Sequence, residues 1–211
     1  MTSSKFERNV FINCPFDKDY QPILRPILFC VIRAGLVPRL ATERQDGGES
    51  RLDKICTLIR DSKYSIHDLS RCQAIKRGEI SRMNMPFELG IDYGLRRMGT
   101  TTMRTKCFLV MDEQPFRLKQ AMSDINGWDT QAHAGDPQEA LSNVRNWLCL
   151  EAASTLPGGE TLYSQYLHFE EWKYARPDHT RADIESYKDF ELISEMRKWD
   201  SEQPEAGKTM P

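Results

Sequence analysis

The chain has 211 residues, of which 39% are hydrophobic and 28% charged, and its formal net charge is -2. At about 150 residues per domain, this length allows one core domain with an extension and excludes a multi-domain assembly. The composition is that of an ordinary globular domain, which excludes intrinsic disorder and collagen-like structure. The near-balance of charge gives no general attraction to duplex nucleic acid or to an anionic membrane, but it is compatible with a small anionic ligand.

The first two thirds of the chain alternate short apolar segments with longer amphipathic ones. The short segments are typical of strands buried in a sheet, and the longer ones repeat apolar residues at three and four positions, as helices do. Strands are predicted at 9–14, 36–41, 64–69 and 106–112, with a short fifth at 127–133, and helices at 20–34, 50–61 and 86–98.

This order of elements predicts the fold class. The connections between strands are too long for hairpins, so we expect a parallel sheet with helices on both faces. Pro38 in the second strand predicts an edge position, because proline cannot donate to a strand ladder. The predicted fold is therefore a three-layer α/β/α sandwich with a central parallel sheet of about five strands. We expect this domain to span 1–135, followed by a helical extension over 136–200 and a flexible tail over 201–211.

The six cysteines occur singly, without a CxxC pair. This spacing argues against a zinc finger and against a disulfide scaffold. Histidines are scattered without an HExxH-like spacing, so no metal site is expected. Unpaired thiols are typical of the reducing cytoplasm, and no apolar run resembles a signal peptide or a membrane span. We expect a cytoplasmic protein without a membrane partner.

Polar residues concentrate in the loops after the predicted strands. In an open parallel sheet, ligands bind beyond the carboxyl ends of the strands, so these loops are the candidate site. Phe16, Asp17 and Tyr20 follow the first strand and are suited to stacking and hydrogen-bonding a base or ribose, although an exposed turn has the same composition. A Gly-Gly pair precedes the predicted helix at 50–61, and Arg51 stands at the start of that helix, where free N–H groups and a guanidinium favour a phosphate.

Glu88 is the candidate catalytic residue. With Pro86 expected at the first helical position, Glu88 falls in the first turn, where the helix dipole favours a carboxylate by ~0.3–1 kcal/mol and lowers its pKa. An ionised carboxylate at the mouth of a sheet can attack an anomeric carbon, or stabilise the oxocarbenium character that develops when a glycosidic bond breaks. Simple charge complementation of the helix end is the alternative role.

Further candidates surround Glu88. Asp68 is suited to holding a ribose hydroxyl or a base, or to capping the next turn, and His67 should face the other side of the strand as a core histidine. The residues expected to line a substrate pocket with Glu88 are Asp68, Ser70, Arg71 and Asn84, the last of which is alternatively a helix cap.

Several common functions lack their motifs. The chain has no GxSxG, Walker A or dinucleotide GxGxxG sequence, which argues against the usual hydrolase, P-loop and Rossmann sites. The segment 71–82 carries four basic residues without an aromatic residue between them, which does not favour nucleic acid. The longer segment 71–85 is expected to act as a substrate lid or a partner-docking loop.

Three segments together carry a resemblance to a known superfamily. The sequences NVFINCPFDKDY, HDLSR and MNMPFELG resemble bacterial Toll/interleukin-receptor (TIR)-like domains and the related nucleoside 2-deoxyribosyltransferase-like proteins. The resemblance covers about residues 9–129, and its matching positions are 11–20, 65–70 and Glu88. It implies a flavodoxin-like, TIR-like sheet and a glutamate, here Glu88, that performs the chemistry.

The resemblance implies more than one function. Similarity to enzymatic TIR domains implies cleavage of the N-glycosidic bond of NAD, often in antiviral defence signalling, with the nucleotide as substrate and no cofactor. Similarity to the deoxyribosyltransferases implies a glycosyl-enzyme intermediate on Glu88. TIR-like domains commonly self-associate, so a nucleotide-sensing or self-assembling module without turnover is a third function. A homo-oligomer or a partner effector protein is implied in that case.

Overall fold

The computed structural model describes residues 3–72, 74, 81 and 83–203. Its five strands form one parallel sheet in the order β2-β1-β3-β4-β5, with β2 at an edge as Pro38 predicts. The predicted three-layer α/β/α sandwich is confirmed. The strands are β1 (Asn9–Asn13), β2 (Val37–Arg39), β3 (Tyr64–Asp68), β4 (Cys107–Asp112) and β5 (Thr130–Ala132).

Helices cover both faces of the sheet. On one side, called the α2 face, α2 and α6 pack against each other, and α7 and α9 pack against α2; on the other, called the α4 face, α3 packs against α4. In the described part of the chain, no helix is long and apolar enough to cross a bilayer. The helices are α1 (Ser3–Phe6), α2 (Gln21–Arg33), α3 (Arg51–Arg60), α4 (Asn84–Met98), α5 (Arg117–Ala121), α6 (Pro137–Glu151), α7 (Gly159–Ala175), α8 (Arg181–Ser186) and α9 (Asp189–Glu202).

Strand register decides which polar side chains face which layer. In β1, Ile12 faces the α2 layer while its neighbours Phe11 and Asn13 face α4. Asn13 pairs with His67 of β3, so both side chains lie on the α4 face. Every residue of β1 and β3 is buried, because helices cover both sides of these strands.

The C-terminal helices share the core of the sheet. The buried ring of Phe29 in α2 lies 5.6 Å from the ring of Tyr166, 5.9 Å from that of Phe169 and 5.4 Å from that of Trp199, measured between centroids. Trp199 is only 5% exposed, so this residue of an amphipathic helix belongs to the core. Helices α7 and α9 are therefore fastened to α2 through one aromatic cluster.

One stretch of the helical extension expected over 136–200 divides into two helices. The apolar spacing over 182–199 favours a single helix, but α8 ends at Ser186 and α9 begins at Asp189. The backbone N–H of Lys188 donates to the Glu191 carboxylate at 2.8 Å, which satisfies an N–H at the start of a helix. This local cap starts a new helix where the periodicity alone shows no interruption.

Replacing Phe29 with alanine should destabilise the whole domain. A buried Phe→Ala change costs about 3–5 kcal/mol, and here it removes the ring that joins α2 to α7 and α9. We expect a fall of that size in the free energy of unfolding in urea, with tryptophan fluorescence and far-ultraviolet circular dichroism reporting one coincident transition. Separate transitions would show that α7–α9 unfold independently of the sheet.

Candidate functional site

The order of the strands locates the candidate site. Strand β2 lies on one side of β1 and strand β3 on the other, so the strand order reverses at β1. The loops that follow β1 and β3 therefore lead to opposite faces of the sheet. A crevice beyond the carboxyl ends of these two strands is where open α/β sheets bind ligands. Cys14 and Leu69 mark this edge, and α4 begins there because it follows β3.

Helix α4 begins two residues earlier than predicted. Its first residue is Asn84, and its first helical hydrogen bond runs from the N–H of Phe87 to the carbonyl of Met83 at 3.0 Å. Pro86 is then the third helical residue, a position tolerated because N–H groups of the first turn have no helical partner. The expectation that Pro86 is the first helical residue is therefore wrong, and Glu88 lies about one turn inside the helix.

Glu88 is a buried carboxyl with a raised pKa. It lies on the sheet-facing side of α4, three residues after Met85 and four before Asp92, and only 8% of it is exposed. Burial raises the pKa of Glu88 to about 7, although the guanidinium of Arg51 acts to lower it. The expected lowering of this pKa is wrong, because desolvation outweighs any contribution from the helix dipole. A carboxyl with this pKa titrates near neutral pH, well above the range of an ordinary glutamate.

Asp68 is also buried, but its pKa moves in the other direction. One of its carboxylate oxygens accepts from the N–H of Ser70 at 2.9 Å and from the Ser70 hydroxyl. The other lies 3.0 Å from Nε2 of His133. Burial acts to raise the pKa of Asp68, but His133 and Ser70 outweigh it, so the pKa is lowered and the carboxylate stays ionised.

The Ser70, His133 and Asp68 side chains do not form a nucleophilic triad. In a Ser-His-Asp triad, the serine contacts Nε2 and the aspartate holds Nδ1. Here Ser70 Oγ and Asp68 both contact Nε2 of His133, while Nδ1 accepts from the N–H of Gly135 at 3.1 Å. The Ser70 hydroxyl also donates its hydrogen bond to Asp68 rather than to His133. The cluster instead fastens the loop after β3 to the segment after β5.

The two candidate carboxyls lie on opposite faces of the sheet. His67 contacts α4, as expected of a core histidine, so its neighbour Asp68 faces the α2 layer, where it influences the pKa of Tyr20. The pKa of the Cys14 thiol, at the end of β1, is raised mainly by burial. The charge of Asp68 raises it further, and the charge of Glu88 does so more weakly. The two carboxyls are thus not brought together on one face, and the end of β1 lies between them.

The other predicted site residues differ in exposure. Arg51 acts on Glu88, and Arg71 partly opposes the burial that raises the pKa of Tyr20. Asn84 does not cap α4, because it is itself the first helical residue. Of segment 71–85, residues 73, 75–80 and 82 lie outside the described residues, and with them most of the predicted lid. Tyr20 and Ser70 are buried, Phe16, Asp17 and Arg71 half-buried, and Arg51 and Asn84 exposed.

A buried polar chain beside Glu88 was not predicted. The Asn13 amide contacts His67, His67 contacts Asp92, and the ammonium group of Lys106 lies 3.2 Å from Asp92. One signal was available: Asp92 follows Glu88 by four residues, so both carboxyls share the face that carries Leu89. The sequence around Asn13 and around Lys106 does not indicate that their side chains contact residues so distant in the chain.

Comparisons with known proteins identify no relative. No model of a known family matches the chain, and no curated protein is similar to it. Within residues 3–72, 74, 81 and 83–203, no group of three or more histidine, cysteine, aspartate or glutamate side chains is arranged to hold a metal ion. The structure itself defines a parallel α/β domain with a buried titratable carboxyl near the carboxyl edge of its sheet.

Replacing Glu88 with glutamine should stabilise the protein at alkaline pH. The pKa of Glu88 rises from 4.5 to about 7 on folding, so the unfolded chain loses this proton first and stability falls as pH rises between those values. We expect Glu88→Gln to match the wild type near pH 4 and to exceed it by up to about 3 kcal/mol at pH 8, measured by urea unfolding. A difference that is independent of pH would contradict the raised pKa.

Proposed function

We propose that this protein is an N-glycosidase that cleaves the ribose–base bond of NAD or a related nucleotide, with Glu88 as the catalytic carboxylate. The observation that supports the proposal is the position of Glu88. A carboxyl with a pKa near 7 lies close to the edge where the strand order reverses, with the exposed Arg51 guanidinium within electrostatic range. A perturbed carboxyl at such an edge is a candidate catalytic group.

Burial suits Glu88 to a reaction that develops positive charge. A carboxylate in a low-dielectric site is costly unless a cation compensates it. The ribose ring becomes oxocarbenium-like as the base departs, so the ionised form of Glu88 is stabilised more in the transition state than beforehand. This difference in stabilisation is what accelerates bond cleavage.

The proposed reaction has two steps. An oxygen of ionised Glu88 bonds to C1 of the ribose while the bond from C1 to the base nitrogen breaks, and the base departs with the electron pair. Water then attacks C1, the bond to Glu88 breaks, and the proton lost by water passes to solvent or to the released carboxylate. The products are the free base and the ribose with a hydroxyl at C1.

Residues around the edge have distinct parts in this proposal. Arg51 supplies positive charge for a phosphate group, and the half-buried ring of Phe16 supplies a surface for stacking. Asp17, Arg71 and Asn84 are the remaining candidates for direct contact with ribose or phosphate. The polar groups of Asp68 and Ser70 are engaged with each other and with His133, and Tyr20 lies beside Asp68, so their part is to hold the loops after β1 and β3 in place behind the substrate.

A second candidate function is a self-associating nucleotide sensor without turnover. The observation that favours it is an apolar surface on the outer side of α4, where Phe87 is 58% and Met98 is 81% exposed. Gly90 and Gly94 lie between them and allow another surface to approach the helix backbone closely. Because Glu88 lies on the same helix, association at this surface would also affect the candidate site.

Loss of the Glu88 carboxylate should abolish base release. We expect the wild type to release base from NAD or from one of a panel of nucleotides and nucleosides, measured by chromatography, and Glu88→Gln to lower the rate by roughly 10³-fold or more. Glu160→Gln, which removes an exposed carboxylate on α7, is the matched control and should leave the rate unchanged.

Three outcomes of this assay separate the functions. Ligand binding by calorimetry without any product, retained in Glu88→Gln, would favour the sensor. Transfer of the ribose to an added base rather than to water would indicate a transferase that uses the same carboxylate. No base release from any substrate, at low or high protein concentration, would contradict the glycosidase.

The rate should rise as pH increases through about 7. The attacking group must be ionised, and the pKa of Glu88 in the free protein is about 7. Because the Arg51 guanidinium lowers this pKa, Arg51→Met should move the midpoint of the kcat/KM profile to higher pH. A rate that instead falls as pH rises through 7 would assign Glu88 the part of a general acid.

A further inference from the structure

The buried polar chain beside Glu88 has a fixed direction. The Asn13 side-chain amide donates one hydrogen to the carbonyl of Met85 at 2.9 Å and the other to Nδ1 of His67 at 3.0 Å. Since Nδ1 accepts, the neutral His67 ring carries its hydrogen on Nε2, which donates to Asp92 at 3.1 Å. Lys106 completes the chain at the other oxygen of Asp92.

The buried polar chain joins several elements around the α4 face. Asn13 ends β1, His67 lies in β3, and Asp92 lies in α4. Lys106 lies immediately before β4, and its ammonium group also donates to the carbonyl of Ile59 in the last turn of α3 and to that of Ser62 just after it. All four side chains are buried. Buried ionic groups contribute little to net stability compared with apolar ones, so what this arrangement supplies is a defined register between helix and sheet.

Glu88 lies between the two points where this chain holds α4. Met85, whose carbonyl accepts from Asn13, precedes Glu88 by three residues, and Asp92 follows it by four. Residues at these spacings share one side of a helix. A shift of either attachment therefore moves the Glu88 carboxyl relative to the ends of β1 and β3.

We propose that Asn13, His67 and Asp92 are positioning residues that hold the first turns of α4 against the sheet and so fix the Glu88 carboxyl at the ligand-binding edge. Their effect on catalysis rests on the proposed function. Their effect on the titration of Glu88 does not, because it follows from the packing of the helix alone.

Loosening the helix changes the surroundings of Glu88 in a definite direction. Arg51 at the start of α3 and Cys14 after β1 both interact electrostatically with Glu88, and Asp92 lies one turn away on α4 itself. Water that enters beside Glu88 reduces the desolvation that raises its pKa. The pKa should then fall toward the ordinary value for glutamate.

Two variants break the buried polar chain while keeping side chains of similar volume. Asn13→Leu removes both amide donors with a side chain of similar size. His67→Phe removes both ring nitrogens but keeps the edge contacts with Phe11 and Phe108, whose centroids lie 6.1 and 6.0 Å away. Leu148→Ala, a buried change in α6 on the α2 face, is the matched control for loss of stability.

The test is the titration of Glu88, followed by NMR of protein labelled with ¹³C at glutamate carboxyls. We expect its pKa to fall by about one unit or more in Asn13→Leu and in His67→Phe, and to stay unchanged in Leu148→Ala. In the double variant, the pKa of Glu88 should fall by less than the sum of the two single shifts, because both substitutions break the same set of hydrogen bonds. For the active enzyme, kcat should fall about tenfold or more while KM changes little.

Several results would overturn the proposal. An unchanged pKa of Glu88 in both variants would overturn it. An equal pKa shift in Leu148→Ala would also overturn it, because the shift would then reflect only a general loss of stability. If neither variant folds, ¹⁵N NMR of wild-type His67 decides: a hydrogen on Nδ1 would exclude donation from Asn13 and overturn the chain. Shifted titrations in a protein without base release would support the positioning role and refute the glycosidase.

Discussion

A parallel sheet covered on both faces leaves its polar side chains without water. Polar residues of β1 and β3 therefore need partners inside the protein, since an unpaired buried polar group costs about 1–3 kcal/mol. Asn9 donates to the carbonyl of Asp61, Asn13 to that of Met85, and His67 to Asp92. These partners belong to the loops and helices beside the strands, so the same requirement that satisfies the strands also fixes the layer in which Glu88 lies.

Two buried carboxyls near one edge acquire different charges from their surroundings. Asp68 has close donors in Ser70 and His133, which keep it ionised despite complete burial. The charge of Arg51 acts to lower the pKa of Glu88, but the effect of burial is larger, so this pKa is raised. The difference arises from the local supply of hydrogen-bond donors.

Local sequence predicts the strands and the architecture but not the polar contacts. Short apolar segments locate β1 and β3 to within a residue, Pro38 predicts the edge, and Gly35 ends α2 where the backbone takes a φ of +73°. The start of α4 was misplaced because proline is tolerated anywhere in the first turn. The burial of Glu88 follows from its place on the sheet-facing side of α4, at helical spacing from Met85 and Asp92. The contact between Ser70 and His133 joins residues 63 positions apart, and no local pattern indicates it.

The two outer layers give the edge of the sheet unequal mechanical support. Helix α2 follows the loop after β1 and is backed by α6, α7 and α9 through the cluster around Phe29. Among the described residues, helix α4 exposes Phe87 and Met98 on its outer surface. The two layers are therefore held to the sheet by different means: α2 by apolar packing against three further helices, and α4 by buried polar contacts that run through Asn13, His67 and Asp92.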